Sequence, residues 1–137
     1  MDEPKKILVV EDDDHVRVLL IEYLKEHAHP SVEGARDGAE ALHHVAAGEY
    51  ALVILDLMMP FMTGIDFLDS LEAMVSDPSI KPITSRPPVI VITSAPPEQV
   101  PNGDLEKRFP LMVRDVLRKP VEPERLARRA RELLVGS

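Results

Sequence analysis

The sequence predicts an α/β fold: a doubly wound parallel sheet with helices on both faces. Three observations carry this. Short unbroken apolar runs recur along the chain, "ILVV" at 7–10, "ALVIL" at 51–55 and "VIVIT" at 89–93. Runs of that length and composition are too short for helices and read as strands buried on both faces. Segments with apolar residues at helical spacing stand between them. The two kinds alternate five times, as crossover units around a parallel sheet do.

The first strand, 7–10, runs into four acids, Glu11, Asp12, Asp13 and Asp14. Beyond them Val16, Leu19, Leu20, Tyr23 and Leu24 recur at helical spacing, with Arg17, Glu22, Lys25 and Glu26 between. That predicts an amphipathic helix with the five apolar residues inward and Asp13 or Asp14 as its N-cap. "HPSVEGA" (29–35) is a weaker second strand. "DGAEALHHVAAG" (37–48) predicts a helix with Ala41, Leu42 and Val45 inward and Gly48 as its stop. The third strand, 51–55, ends at Asp56, and a helix over 64–75 turns Ile65, Leu68, Leu71 and Val75 inward. The stretch 77–88 holds four prolines in twelve residues and reads as a loop. A fourth strand covers 89–93. Between 94 and 112, Pro96, Pro97, Pro101 and Pro110 leave room only for a short helix around 103–109. A last strand over 113–117 precedes a final helix over 122–134, with Pro123 in its first turn and Leu126, Ala130, Leu133 and Leu134 inward.

The chain of 137 residues suits one domain, 1–137, around one core, and neither an internal repeat nor an interdomain linker interrupts it. A net charge of -8 argues against non-specific binding to nucleic acid or to an anionic membrane. The absence of cysteine excludes disulfides and thiolate metal sites. The N-terminal apolar run is too short for a signal peptide, and no segment approaches the ~20 apolar residues of a membrane span. A soluble, cytoplasmic protein is the expectation.

Sites in open parallel sheets form outside the carboxyl ends of the strands, where strand order reverses. The residues there are Glu11 and Asp12 after the first strand, Asp56 after the third, Thr93 and Ser94 at the fourth, and Lys119 followed by Pro120 after the fifth. Polar residues at strand ends commonly just meet solvent, which accounts for one or two of these. It accounts poorly for acids on the central strands and an amine on the last. Three carboxylates and one ammonium leave a negative surplus that a partly buried cluster holds only with shifted pKa values or a cation. Oxygen donors without cysteine or histidine favour a hard ion, Mg²⁺ over Zn²⁺. Such an ion with a Lys and a Thr beside it suits phosphoryl chemistry, with one carboxylate able to act as nucleophile.

In this order, "LVVEDD", "ARDGAEAL", "VILDLMMPFMTG", "VIVITSA" and "LRKP" resemble the receiver domains of two-component response regulators over nearly the whole chain. The resemblance implies a flavodoxin-like (βα)5 fold with strand order 2-1-3-4-5. It implies that Asp56 is the phosphoacceptor, taking a phosphoryl group from a sensor histidine kinase or phosphotransfer protein. Glu11 and Asp12 would hold Mg²⁺ with Asp56, Asp12 directly and Glu11 partly through water, and Met58 would lend its backbone carbonyl. Thr93 and Lys119 would bind the phosphoryl group. The output would be contact with an effector protein or second receiver, not direct binding to nucleic acid or membrane.

Three features depart from the family pattern. The 56–93 and 93–119 spacings are long, the second lacks the usual small step after Thr93, and Val116 occupies a position where an aromatic commonly couples to the Thr hydroxyl. Signalling through backbone movement of residues 94–112 is the resulting hypothesis. A pseudo-receiver working without phosphorylation is the alternative. An aspartate-nucleophile phosphatase needs a second acid two residues after the nucleophile, where Met58 stands, and flavin binding lacks a phosphate loop after the first strand. His43 and His44 read as a solvated helix face, and His27 and His29 as charges suited to a helix end. Met58, Met59 and Met62 read as packing. Arg125, Arg128, Arg129 and Arg131 read as a solvated face or a partner surface.

Overall fold

The computed structural model describes residues 5–59, 62–77, 79 and 86–135. Its elements are β1 (Lys6–Val10), α1 (Asp14–His27), β2 (Val32–Ala35), α2 (Gly38–Ala47), β3 (Tyr50–Asp56), α3 (Gly64–Ser76), β4 (Val89–Thr93), α4 (Asp104–Arg108), β5 (Val113–Arg118) and α5 (Pro123–Val135). The strands form one sheet in the order β2-β1-β3-β4-β5, every neighbouring pair parallel. This is the flavodoxin-like arrangement that the alternating pattern and the family resemblance imply. The chain steps outward from β1 to β2, then crosses back to β3. That reversal leaves a crevice at the carboxyl ends of β1 and β3.

The apolar runs are continuous because both sheet faces are covered. Alternate strand residues point to opposite faces. Leu8, Val10, Val53, Leu55 and Val91 pack with Ala41, Val45, Phe67, Leu68 and Leu71 of α2 and α3 and with Leu105 of α4. Ile7, Val9, Leu52, Ile54 and Ile90 pack with Leu24 of α1 and Leu126, Ala127 and Ala130 of α5. Each of the larger side chains, Val, Leu, Ile or Phe, contributes about 1.5–3 kcal/mol on burial.

Local chemistry sets the helix starts. The Asp13 carboxylate accepts from the Val16 N–H at 3.0 Å, so Asp13 rather than Asp14 caps α1. Asp14 lies in the first turn, where its negative charge suits the helix dipole, and it pairs with Arg17. Asp37 caps α2 and Thr63 caps α3, the latter in a reciprocal capping box with Asp66. His29 and Pro30 lie outside β2. The His29 ring accepts from the Ser31 N–H at 3.0 Å and turns the chain into the strand.

The inward faces differ from the sequence reading in α1 and α3. Val16 and Leu19 are 38% and 66% exposed, whereas Leu20, Ile21 and Tyr23 pack beside the buried Leu24. Arg17 occupies the inward position one turn before Ile21, its guanidinium donating to the Glu11 carbonyl at 2.8 Å. The helix is thereby rotated so that Leu19 faces out. In α3, Phe67 is fully buried with Leu68 and Leu71, while Ile65 and Val75 are only partly covered. Within the proline-rich 77–88 loop, residues 78 and 80–85 lie outside the described residues, as do Pro60 and Phe61 of the "DLMMPFMTG" motif. At the loop's far end Arg86 pairs with Glu72 of α3.

Two of the four arginines read as the basic face of α5 bond within the molecule instead. Arg129 donates to Asp115 of β5 at 2.8 Å, and Arg131 donates to the His27 carbonyl at 2.8 Å. Both arginines fasten α5 to the rest of the molecule, leaving Arg125 and Arg128 exposed. His44 is half-buried, 3.7 Å from Glu33, so only His43 fits a solvated face. Met59 is buried and Met62 packs against the core, as expected of packing residues, but the Met58 side chain is 55% exposed.

Candidate functional site

Glu11 directly follows β1, and its N–H donates to the Ala35 carbonyl at 3.0 Å, extending the ladder by one residue. Asp56 is the last residue of β3 and Thr93 the last of β4. Lys119 follows β5, with its N–H on the Thr93 carbonyl at 2.8 Å and a cis bond to Pro120 after it. The ends of β1, β3 and β5 thus bring Glu11, Asp12, Asp56 and Lys119 together, and Thr93 ends the strand between β3 and β5.

Glu11, Asp12 and Asp56 offer carboxylate oxygens that all lie within 4.8 Å of one another. Glu11 and Asp56 are each 4% exposed, while Asp12 faces solvent. The Lys119 ammonium donates to Asp56 Oδ2 at 3.3 Å and lies 3.7 Å from Glu11 Oε1. Asp56 Oδ1 accepts from the Met58 N–H at 3.1 Å. Burial first, then hydrogen bonding to and repulsion from Asp56, push the Glu11 carboxyl up to about 8 against the pull of Lys119. One ammonium does not balance this many buried carboxylate oxygens. A set of hard oxygen donors with excess negative charge fits a divalent cation such as Mg²⁺.

Gly64 sets how closely α3 approaches the strand end. A Cβ there would come within 2.8 Å of Leu57 Cα and 3.0 Å of the Asp56 carbonyl oxygen. Any other residue would push the helix away from the backbone that holds Asp56. The Gly64 N–H also donates to the Leu57 carbonyl at 3.0 Å.

Thr93 is fully buried, and its Oγ1 accepts from the Ala95 N–H at 2.9 Å. Val116 is half-buried against the α2–α3 side of the core. Sequence reasoning did not single out Arg17, which ties α1 to the Glu11 backbone, or Arg118, which binds the loop after β4. Arg118 did carry a signal: a basic residue directly after a predicted strand, next to Lys119. A cavity of about 490 Å³ opens beside the acids, walled by Val16, Leu20 and Leu126 and bordered by Asp56 and Lys119.

Comparison with known proteins agrees with this geometry. The family model described as "Response regulator receiver domain" matches residues 7–131. Response regulator MprA of Mycolicibacterium vanbaalenii is 40% identical over 83 residues, covering 61% of this chain and 36% of that protein. The Bacillus subtilis protein named as uncharacterized transcriptional regulatory protein YkoG is 33% identical over 133 residues, covering 96% of this chain and 52% of its own length. The chain therefore spans about half or less of these curated relatives. Among solved structures, the receiver domain of Francisella response regulator 1452 superposes with a TM-score of 0.78 at 25% identity, covering 97% of this chain and 98% of that one. The Thermotoga maritima response regulator TrrA, solved in complex with Mg²⁺ and beryllofluoride, superposes with a TM-score of 0.72 at 25% identity, covering 95% and 99%. No described helix is long and apolar enough to cross a membrane. Receiver domains are signalling domains rather than conventional enzymes, and with its family match, sheet order and acidic crevice this chain belongs to the response regulator receiver domain family.

Proposed function

We propose that the chain is a single receiver domain, 1–137, that works as a phosphorylation-dependent switch. Asp56 takes a phosphoryl group from a phosphohistidine on a sensor histidine kinase or phosphotransfer protein. The observation that carries this reading is the carboxylate trio within 4.8 Å, with the Lys119 ammonium 3.3 Å from Asp56. Glu11, Asp12 and Asp56, with the Met58 backbone carbonyl, are the residues that would hold Mg²⁺. The ion when bound supplies positive charge that offsets the carboxylates and the phosphoryl oxygens.

In the transfer, an Asp56 oxygen attacks phosphorus in line with the phosphorus–nitrogen bond. The new P–O bond forms as the P–N bond breaks, and the electron pair returns to the imidazole nitrogen. Lys119 is placed to exchange its contact with Asp56 for one with a phosphoryl oxygen. Thr93 Oγ1 accepts from the Ala95 N–H, and on turning away from that bond its hydroxyl would donate to the same group. The cavity beside Asp56 gives the donor an apolar wall on the α1–α5 side. The response is a changed surface for an effector protein or a second receiver, in the cytoplasm, with slow self-hydrolysis of the acyl phosphate as the only turnover.

A pseudo-receiver is the second reading, favoured by Val116 at the usual aromatic position and by the five-residue α4. One experiment separates them. Acetyl phosphate or beryllofluoride with Mg²⁺ is expected to modify the protein stoichiometrically, read by intact mass or fluorine NMR, and Asp56→Asn is expected to abolish it. Absence of modification at millimolar Mg²⁺ selects the pseudo-receiver. Turnover of small phosphate esters would instead indicate a phosphatase.

A further inference from the structure

We propose that Arg118 is the positioning residue that couples the phosphoryl site to the loop after β4, a task for which Val116 has no suitable side chain. The inference rests on the reading that Asp56 is phosphorylated.

The loop between β4 and α4 contains Pro96, Pro97 and Pro101, which have no N–H and hold the residues before them out of helical geometry. The Pro96 carbonyl accepts from the Gln99 and Val100 N–H groups at 3.0 Å, whereas the pre-proline carbonyls of Ala95 and Val100 take donors from outside the loop. Arg118 supplies them. Its Nη1 donates to the Ala95 carbonyl at 2.7 Å, and its Nη2 donates to the Val100 carbonyl at 2.6 Å and to Asn102 Oδ1 at 2.9 Å. Ala95 and Val100 are the residues immediately before Pro96 and Pro101, and both are buried. A planar fork with several fixed donors suits this three-point task, and a lysine cannot reproduce it.

The clamp meets the switch hydroxyl at a single residue. Ala95 is held through its N–H by Thr93 Oγ1 at 2.9 Å and through its carbonyl by Arg118. Thr93 and Arg118 are register partners across β4 and β5. Arg118 is also bonded in sequence to Lys119, whose ammonium sits on Asp56. When Thr93 and Lys119 turn toward a phosphoryl group, Ala95 loses its N–H partner while its carbonyl stays on Arg118. The 95–102 segment then pivots on the guanidinium, and the movement reaches α4. Without Arg118 the segment has no anchor that senses the strand ends, and the two events separate.

The test is amide hydrogen exchange over residues 95–105, with and without Mg²⁺–beryllofluoride, in wild type, Arg118→Met and Arg118→Lys. Wild type is expected to change its exchange in this segment on beryllofluoride binding. Arg118→Met is expected to bind beryllofluoride, to exchange roughly tenfold faster in the free state, and to show no ligand-dependent difference. Arg118→Lys is expected to retain less than half of the wild-type difference, and it carries the same test should Arg118→Met fail to fold. A purely structural arginine would raise exchange equally in both states and leave the difference intact; that result overturns the proposal. A wild-type segment indifferent to bound beryllofluoride also overturns it. Failure of wild type to bind beryllofluoride is recognisable separately and removes the phospho-switch reading together with the coupling.

Discussion

The two ends of the sheet each gather ionisable side chains, and they treat them in opposite ways. At the amino ends of the strands, Glu33 of β2 accepts from the Tyr50 hydroxyl at 2.6 Å and from the Lys6 ammonium at 3.1 Å, with His44 of α2 3.7 Å away. One carboxylate meets one ammonium and one hydroxyl, and its oxygens are both satisfied. The Tyr50 bond and Lys6 hold the Glu33 carboxyl below the usual range. At the carboxyl ends, Glu11 and Asp56 share the Lys119 ammonium, Asp12 lies beside them facing solvent, and the Glu11 carboxyl is pushed up to about 8. The same residue types thus stabilise one end and strain the other. A charge-balanced cluster holds a fold together, whereas one with surplus negative charge favours a cation that offsets it.

The largest expected effect follows from filling the strained end. Mg²⁺ at about 100 times its Kd is expected to stabilise the protein by about 2.7 kcal/mol, seen as a rise in Tm. Asp56→Asn should abolish most of that gain. In the absence of divalent cations the same substitution should raise stability by about 1–2 kcal/mol, since it removes one of the repelling charges. Equal destabilisation with and without Mg²⁺ would mean that the acids are structural, and the contrast between the two ends would fail.

At the satisfied end, Tyr50→Phe is expected to lose about 1–2 kcal/mol in urea unfolding at neutral pH. Its pH signature is sharper. A carboxyl lowered on folding contributes stability that is present above its unfolded value, near 4.5 for Glu33, and lost as pH falls through the lower folded value. Glu33→Gln should therefore flatten the part of the acid-unfolding limb below about pH 4.5. A limb unchanged from wild type would show that Glu33 gains nothing from its partners.

The smallest effect is expected for Lys6→Met. Its bridge to Glu33 is partly exposed on both sides, with side chains 35% and 37% accessible. Such pairs contribute at most about 1 kcal/mol and weaken with salt. A larger loss, insensitive to salt, would place Lys6 among the core determinants of the sheet.

Much of this molecule was legible in sequence because the relevant physics is local. Every strand lies where a strand was read, three of them on unbroken apolar runs, and α4 lies inside the window that the prolines left open. The acids at 11, 12 and 56 and the lysine at 119 could be grouped because each follows a strand, and strands in a parallel sheet end on the same side. Illegible were the faces and partners that depend on long side chains. The α1 residues Leu19 and Ile21 exchange their expected exposure because Arg17 reaches back to the Glu11 carbonyl and fixes the helix rotation. Periodicity alone offers two overlapping apolar arcs there and does not choose between them.

Composition and spacing by themselves determined the alternation of strands and helices, the two-sided burial of the sheet, and the hard-oxygen chemistry at its carboxyl ends. They do so because backbone periodicity and short-range capping act over a few residues. Only the tertiary structure decided where the arginines go: Arg131 to a carbonyl 104 positions away, Arg129 to Asp115, and Arg118 to two pre-proline carbonyls. A guanidinium on a long flexible stem bonds whichever acceptor the fold leaves unsatisfied within reach, and that acceptor exists only once the chain has folded around it.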